Sequence, residues 1–143
     1  MSAASDRMLE LLECLDDSER VQAAVNELYA EDAVFKDPIQ RVAGRKAIKK
    51  MWRSLGTLFK DVNVEILDQV EVDNKVVVHW IMVFDYKVWP AAVTIPGVSW
   101  LEMDAEGKFV THTDYWDLWD FMKQSIPWVG SLRKLVGRKL ERA

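Results

Sequence analysis

The chain contains a single cysteine, Cys14, among its 143 residues, so no internal disulfide bond is possible. Scarce cysteine is typical of proteins from reducing compartments, and a cytoplasmic location is therefore expected. No apolar run approaches the roughly 18 residues of a membrane-spanning helix, and the N-terminus lacks the basic and apolar regions of a secretory signal. The sequence thus gives no sign of secretion or of membrane insertion.

Glycine is also scarce, with six residues scattered along the chain, and they form no glycine-rich loop for binding phosphate. The two histidines and one cysteine do not have metal-ligand spacing, so neither a metal nor a cofactor is predicted. A Gly-x-Ser-x-Gly nucleophile motif is absent as well. The net charge of −4 lacks the positive field that phosphate backbones require, which argues against a nucleic-acid partner.

Tryptophan, by contrast, is abundant, with seven residues, and half of all residues are apolar. A chain of this length and composition predicts one globular domain with a sizeable core. Large indole rings fill a core or line a cavity wide enough for a flat ligand. The sequence alone leaves both roles open for each tryptophan.

The N-terminal part of the chain is mainly helical in pattern. Apolar residues at helical spacing predict a helix over residues 8–15 and a second one that ends near Tyr29. A short strand over residues 33–37 follows and is ended by Pro38, which cannot donate to a strand ladder. Gly44 then opens a third helix.

The middle of the chain alternates apolar and polar residues, which is typical of strands. Strands are predicted around residues 62–66, over about residues 75–89 and from near Ala92, the last with a bend or bulge at residues 95–97 because proline interrupts pairing. A hairpin turn over residues 104–107 leads into a final strand. Helices followed by consecutive antiparallel strands predict an α+β fold, a curved sheet with helices on one side.

Residues 125–143 differ in character from the rest of the chain. Apolar residues at helical spacing, with a proline near the start, predict a C-terminal amphipathic helix. Its other face is basic and carries Arg133, Lys134, Arg138, Lys139 and Arg142. Such a helix can lie on an anionic membrane surface, but packing on its own domain or on a partner subunit is the more common role.

The strand that covers residues 111–117 holds the strongest functional signal. Side chains alternate faces along a strand, so His112, Asp114 and Trp116 point the same way. A histidine and a carboxylate beside an indole supply the titratable pair of a small-molecule site. The same two groups in a dry core would simply hydrogen-bond to each other, and both interpretations stay open.

Residues 28–38, Leu-Tyr-Ala-Glu-Asp-Ala-Val-Phe-Lys-Asp-Pro, resemble the nuclear transport factor 2-like superfamily, in particular its SnoaL-like and ketosteroid isomerase-like branches. The similarity extends through residues 44–48 and 74–86 to residues 107–117. It implies a cone-shaped, strongly curved antiparallel sheet with the N-terminal helices on its concave side, all within residues 1–124. This scaffold serves enzymes and binding proteins alike, so the resemblance does not define an activity.

The resemblance also implies roles for individual residues. Asp37 stands where ketosteroid isomerases have their carboxylate general base, although an aspartate before a proline also caps turns. The oxyanion-hole tyrosine of the first helix has no counterpart, and Ser99 replaces the protonated aspartic acid. An enolate would then be poorly stabilised, and steroid isomerase activity is not expected. The resemblance implies a cavity side with the ligand-binding residues Trp80, Met82, Phe84, Ser99 and Trp116.

These observations suggest two functions. The first is a cofactor-free isomerase, cyclase or dehydratase that acts on a mid-sized apolar small molecule. In this enzyme Asp37 is the base, and Asp114 orients His112 as general acid. The alternative is a non-catalytic domain that binds a ligand or assembles through its sheet. A homodimer is expected, and contact with a membrane surface would depend on the C-terminal helix.

Overall fold

Helices and strands follow one another in the predicted order in the computed structural model, which describes residues 3–126. The helices are α1 (Ala3–Glu13), α2 (Ser18–Leu28), α3 (Arg45–Leu58) and α4 (Leu118–Ser125). The strands are β1 (Tyr29–Lys36), β2 (Arg41–Ala43), β3 (Phe59–Val72), β4 (Lys75–Tyr86), β5 (Val93–Met103) and β6 (Phe109–Trp116). The short elements β2 and α4 were not predicted.

The strands form one sheet in the order β2-β1-β6-β5-β4-β3. From β3 to β6 each strand pairs antiparallel with the next. β1 pairs parallel with β6, with Phe35 opposite His112, so the sheet is mixed where an entirely antiparallel one was predicted. Parallel neighbours need a long connection, and the chain between β1 and β6 supplies it. Register shifts in three of the pairings mark bulges that increase the twist and curl the sheet.

The bend or bulge predicted in β5 is absent. Residues 95–97 pair in unbroken register with residues 80–82 of β4. Pairing with β6 begins only at Gly97, which lies opposite Trp116. Pro96 therefore lies where β5 has no strand on its other side, and its missing N–H removes no ladder hydrogen bond. The prediction was wrong because it did not foresee where β6 ends.

Helices α1, α2 and α3 pack together on one side of the curled sheet, as predicted. Leu11, Val25 and Ile48, one from each helix, are fully buried in the core between helices and sheet. Helix α3 approaches the connection between α1 and α2 closely at Gly56. A Cβ atom on Gly56 would lie 1.9 Å from the carbonyl oxygen of Leu15, so only glycine fits this crossing.

The C-terminal part of the described chain differs from the prediction. Ser125, expected to begin the basic helix, is the last residue of α4. Its buried hydroxyl oxygen accepts a hydrogen bond from the Tyr86 hydroxyl at 2.7 Å, which ties the end of α4 to β4. Residues 127–143, which hold most of the predicted basic helix, lie outside the described residues. Within residues 3–126 no helix is long and apolar enough to cross a membrane.

Candidate functional site

A cavity of about 120 Å³ lies between the helices and the concave side of the sheet. Its apolar wall is dominated by six aromatic rings, those of Phe35, Trp52, Phe59, Trp80, Trp116 and Phe121. Apart from the indole nitrogens, the polar side chains in its lining are those of Asp37, Gln40, Ser99, His112 and Asp114. The cavity is therefore aromatic, with a few polar groups from β5, β6 and the β1–β2 turn.

Seven of the eight predicted site residues line this cavity. They are Asp37, Trp80, Met82, Ser99, His112, Asp114 and Trp116. Phe84 is the exception, because its ring lies behind the cavity wall. It packs 4.1 Å from the ring centroid of Phe59 and 6.2 Å from that of Phe121, two residues that do line the cavity. The resemblance to the superfamily assigned Phe84 to the correct face of β4 but could not show that other rings cover it.

Asp114 is the centre of a hydrogen-bonded chain. Its Oδ1 atom accepts a hydrogen bond from the Ser99 hydroxyl at 2.5 Å and lies 2.7 Å from Nε2 of His112. The Ser99 hydroxyl oxygen in turn accepts from the indole N–H of Trp80 at 2.9 Å. No described residue hydrogen-bonds to the second carboxylate oxygen, Oδ2, and the side chain is 13% exposed. Oδ2 is therefore the oxygen available to a bound molecule.

Tyr29, which the sequence analysis missed, completes this chain on the other side. Its hydroxyl lies 2.7 Å from Nδ1 of His112, and the two rings are nearly parallel, with centroids 5.9 Å apart. Burial raises the pKa of Tyr29, so the phenol stays protonated. Tyr29 and His112 are 83 residues apart and meet only through the β1–β6 pairing, which the sequence did not reveal.

The hydrogen-bond pattern determines which nitrogen of His112 carries a proton. The Tyr29 hydroxyl is buried and its proton needs an acceptor, and Nδ1 of His112 is its only acceptor among the described residues. The nearby indole N–H of Trp52, which finds no partner of hydrogen-bond geometry, is a donor and cannot serve. Nδ1 is therefore unprotonated, and a neutral His112 donates from Nε2 to Asp114.

This geometry does not favour the predicted role of His112 as general acid. Both ring nitrogens are engaged, and the side chain is only 1% exposed. Its proton can reach a ligand only through Asp114. In the structure His112 donates to Asp114 and so orients it, whereas the sequence analysis has Asp114 orient His112 as general acid, a role that stays a prediction.

Asp37 lies in the turn that follows β1. Its Oδ1 atom accepts backbone hydrogen bonds from Ile39 at 2.8 Å and from Gln40 at 3.0 Å, the pattern of an aspartate that caps a turn. Its Oδ2 atom lies 3.5 Å from the side-chain amide nitrogen of Gln40. The turn-capping role is therefore present, and one oxygen keeps only a long contact.

The cavity carries negative charge that no described group neutralises. Asp37 and Asp114 both belong to its lining, and no lysine or arginine does so within the described part of the chain. His112 is neutral by the argument above. Residues 3–126 also contain no group of three or more histidine, cysteine, aspartate or glutamate side chains that could hold a metal ion.

Several solved structures are similar to this chain. A hypothetical protein from Catenulispora acidiphila, with a ketosteroid isomerase-like fold and in complex with trimethylamine, has 18% identity and a TM-score of 0.70, covering 84% of this chain and 92% of its own. A proposed SnoaL-like polyketide cyclase from Shewanella denitrificans has 17% identity and a TM-score of 0.70, and the match covers 87% of this chain and 97% of the cyclase chain. An LEH-like epoxide hydrolase from M. tuberculosis has 19% identity and a TM-score of 0.68, covering 96% of each chain.

At these identities the structural similarity establishes the fold alone. No curated protein matches the chain significantly. The family model of the SnoaL-like domain, however, matches residues 8–112. This match covers well over half of the chain, from α1 to His112 at the centre of β6, and it agrees with the nuclear transport factor 2-like fold of the similar structures. The chain therefore belongs to the SnoaL-like domain family.

Proposed function

We propose that the chain binds a small molecule in its cavity and performs cofactor-free acid–base chemistry on it, with Asp114 as the reacting carboxylate. The observation that carries this proposal is the chain of hydrogen bonds from Tyr29 through His112 to Asp114. One carboxylate oxygen is held by two donors, and the other is left for a ligand. Such orientation of an acid–base group by fixed neighbours is a general feature of proton-transfer sites.

The surroundings of Asp114 suit proton transfer. In the proposed reaction, Oδ2 takes a proton from the bound molecule and later returns it to another atom. Ser99 and His112 keep the carboxylate in place during both steps, because each donates to Oδ1. The lining around Asp114 is largely apolar, and such surroundings screen the interaction between a carboxylate and the reacting atoms less than bulk water does.

Asp37 is the second carboxylate of the proposed site. Its environment differs from that of Asp114, because its donors are backbone N–H groups of a turn and not buried side chains. Two carboxylates in unlike surroundings commonly divide the roles of acid and base. The predicted role of Asp37 as base stays a prediction, and we assign the better oriented position to Asp114.

The size of the cavity limits the ligand. An apolar cavity of about 150 Å³ holds benzene, so the 120 Å³ here suits a group of that size or smaller. This favours a smaller molecule than the mid-sized one predicted from the sequence. The isomerase, cyclase and dehydratase types remain the proposed reaction classes. Epoxide opening is a further one, because the similar M. tuberculosis protein is an LEH-like epoxide hydrolase. The trimethylamine complex of the Catenulispora acidiphila relative also supports a small ligand.

Proton exchange in deuterated water tests this proposal. Loss of α-protons from small ketones, such as butanone and dimethylaminoacetone, can be followed by proton NMR. We expect Asp114→Asn to slow the exchange at least about 100-fold, the usual contribution of a positioned acid–base group. The matched control is Glu65→Gln, which removes an exposed carboxylate from β3 and should exchange at the wild-type rate.

Three outcomes would contradict the proposal. Exchange by Asp114→Asn at the wild-type rate would exclude Asp114 as the reacting group. Loss of exchange in Asp37→Asn alone would instead support Asp37 as the base, as the sequence predicts. Binding of the ketones without exchange in the wild-type protein would instead support the non-catalytic ligand-binding alternative.

A further inference from the structure

We infer that the molecule bound in this cavity carries a small alkylated ammonium group, which lies against Asp114 inside the aromatic wall. This inference rests on the proposed function for its site but concerns the charge of the ligand. It follows from the protonation of His112, from the aromatic lining and from the absence of lysine and arginine side chains from the described lining of the cavity.

The charge of Asp114 has no partner in the described protein. Among the described residues, Asp114 has one ion-pair partner, His112. In this pair, however, His112 is neutral, because its Nδ1 accepts from the Tyr29 hydroxyl. An ionised carboxylate in an apolar cavity is costly unless a positive charge accompanies it. A cationic ligand would supply this charge.

The wall of the cavity suits a cation. The faces of aromatic rings, and of tryptophan above all, attract alkylated ammonium groups within about 6 Å. Three tryptophans, Trp52, Trp80 and Trp116, belong to the lining. Trp80 is additionally fixed, since its N–H donates to Ser99 and its ring passes Gly97 so closely that a Cβ atom there would lie 2.3 Å away.

No lysine or arginine side chain in the described lining could pair with a negative group. The Ser99 hydroxyl already donates its hydrogen bond to Oδ1 of Asp114. It therefore cannot donate to a ligand at the same time. Proton removal by Asp114 leaves an electron pair on the atom that held the proton, and no described lysine or arginine lines the cavity to stabilise the resulting negative charge. A positive charge within the same ligand would stabilise it directly. The proton then moves from the ligand to Oδ2 and back, with no other reactant.

Paired probes of equal size test the inference. Tetramethylammonium and tert-butanol both have five heavy atoms, but only the first is charged. We would titrate the full chain with each probe at constant ionic strength and follow the indole N–H signals by NMR. We expect tetramethylammonium to bind at least about tenfold more tightly, given the strength of desolvated cation–π contacts, and to shift the signals of the cavity tryptophans.

Two variants separate charge from packing. Asp114→Asn should weaken tetramethylammonium binding about tenfold and leave tert-butanol binding unchanged, whereas Glu65→Gln should alter neither. Trp116→Leu replaces a partly exposed ring, so the fold should tolerate the change. This variant should bind tetramethylammonium more weakly, with a smaller loss for tert-butanol.

The inference is overturned if both probes bind equally, if tert-butanol binds more tightly, or if neither binds. It is also overturned if Asp114→Asn binds tetramethylammonium as the wild type does. These results are independent of the proton-exchange experiment. Charge-selective binding without exchange would contradict the proposed catalysis alone, and exchange without charge selectivity would contradict this inference alone.

Discussion

At the scale of single residues, Tyr29 determines the chemistry of the site although it does not line the cavity. Its hydroxyl donates to Nδ1 of His112 and thereby leaves Nε2 as the nitrogen that carries the proton. That proton orients Asp114. A fully buried tyrosine whose hydroxyl hydrogen-bonds to the histidine is thus a positioning residue, and its effect reaches the ligand through two other side chains.

Removing the Tyr29 hydroxyl should destabilise the protein. In Tyr29→Phe, Nδ1 of His112 is buried without a donor, and such unsatisfied groups cost about 1–3 kcal/mol. Urea unfolding measures this loss. Tyr115→Phe, which removes a hydroxyl from an exposed tyrosine of the outer face of β6, is the control and should leave the free energy of unfolding unchanged. An unaffected Tyr29→Phe variant would show that the hydrogen bond is not formed.

Tyr29 also predicts how stability depends on alkaline pH. Burial raises the pKa of Tyr29 above its ordinary value of about 10, so above that pH the unfolded chain releases a proton that the folded protein keeps. The free energy of unfolding should therefore fall as the pH rises past about 10. Tyr29→Phe should show a shallower fall, and identical slopes in urea titrations at pH 9 to 11 would contradict this.

At the scale of elements, the crossing of α3 with the chain after α1 depends on Gly56. A Cβ atom there would collide with the backbone carbonyl of Leu15, and backbone atoms cannot move aside as a flexible side chain can. We expect Gly56→Ala to lower the free energy of unfolding by about 1–3 kcal/mol, the usual cost of overpacking, despite the better helix propensity of alanine. Arg53→Ala, an exposed change on α3, should have little effect in the same chemical denaturation.

The sequence predicts most elements correctly because their signals are local. The face of β6 that holds His112, Asp114 and Trp116 follows from strand alternation alone, and all three line the cavity. The parallel pairing of β1 with β6 is not local, and Tyr29 was missed for that reason. The unbroken pairing of β5 with β4 through Pro96 depends on where β6 ends, which no pattern within β5 indicates.

The role of Asp37 shows a further limit. From the sequence, Asp37 could be a catalytic base or a residue that caps a turn. In the structure its Oδ1 atom caps the turn, and its Oδ2 atom has only a long contact with Gln40. Likewise, whether His112 orients Asp114 or the reverse depends on their hydrogen bonds to Tyr29 and Ser99. Both partners are distant in the sequence.

At the scale of the whole molecule, the outer face of the sheet carries an apolar row. Val70, Val77 and Trp100 lie next to one another on β3, β4 and β5, and Tyr115 of β6 is nearby on the same face. Val70, Trp100 and Tyr115 are 57%, 43% and 60% exposed. We propose that a second copy of the chain covers this face, since clustered exposed apolar groups mark interaction surfaces and most homo-oligomers are two-fold dimers.

A charge placed on this face should separate the dimer. We expect the wild-type chain to sediment as a dimer and Trp100→Glu to sediment as a monomer, because a buried carboxylate without a partner is costly. Trp119→Glu, at a similarly exposed tryptophan of α4, should remain dimeric. A monomeric wild type, or a Trp100→Glu variant as dimeric as the wild type, would contradict the proposal in analytical ultracentrifugation.

The protonation of His112 is the most direct test of the account, because both the role of Asp114 and the charge of the ligand depend on it. Long-range proton–nitrogen NMR distinguishes the two ring nitrogens, and the chain has only one other histidine, His79, to assign. At neutral pH we expect His112 to carry one proton, on Nε2, with Nδ1 unprotonated. Protons on both nitrogens would contradict the account, since His112 would then neutralise Asp114 by itself.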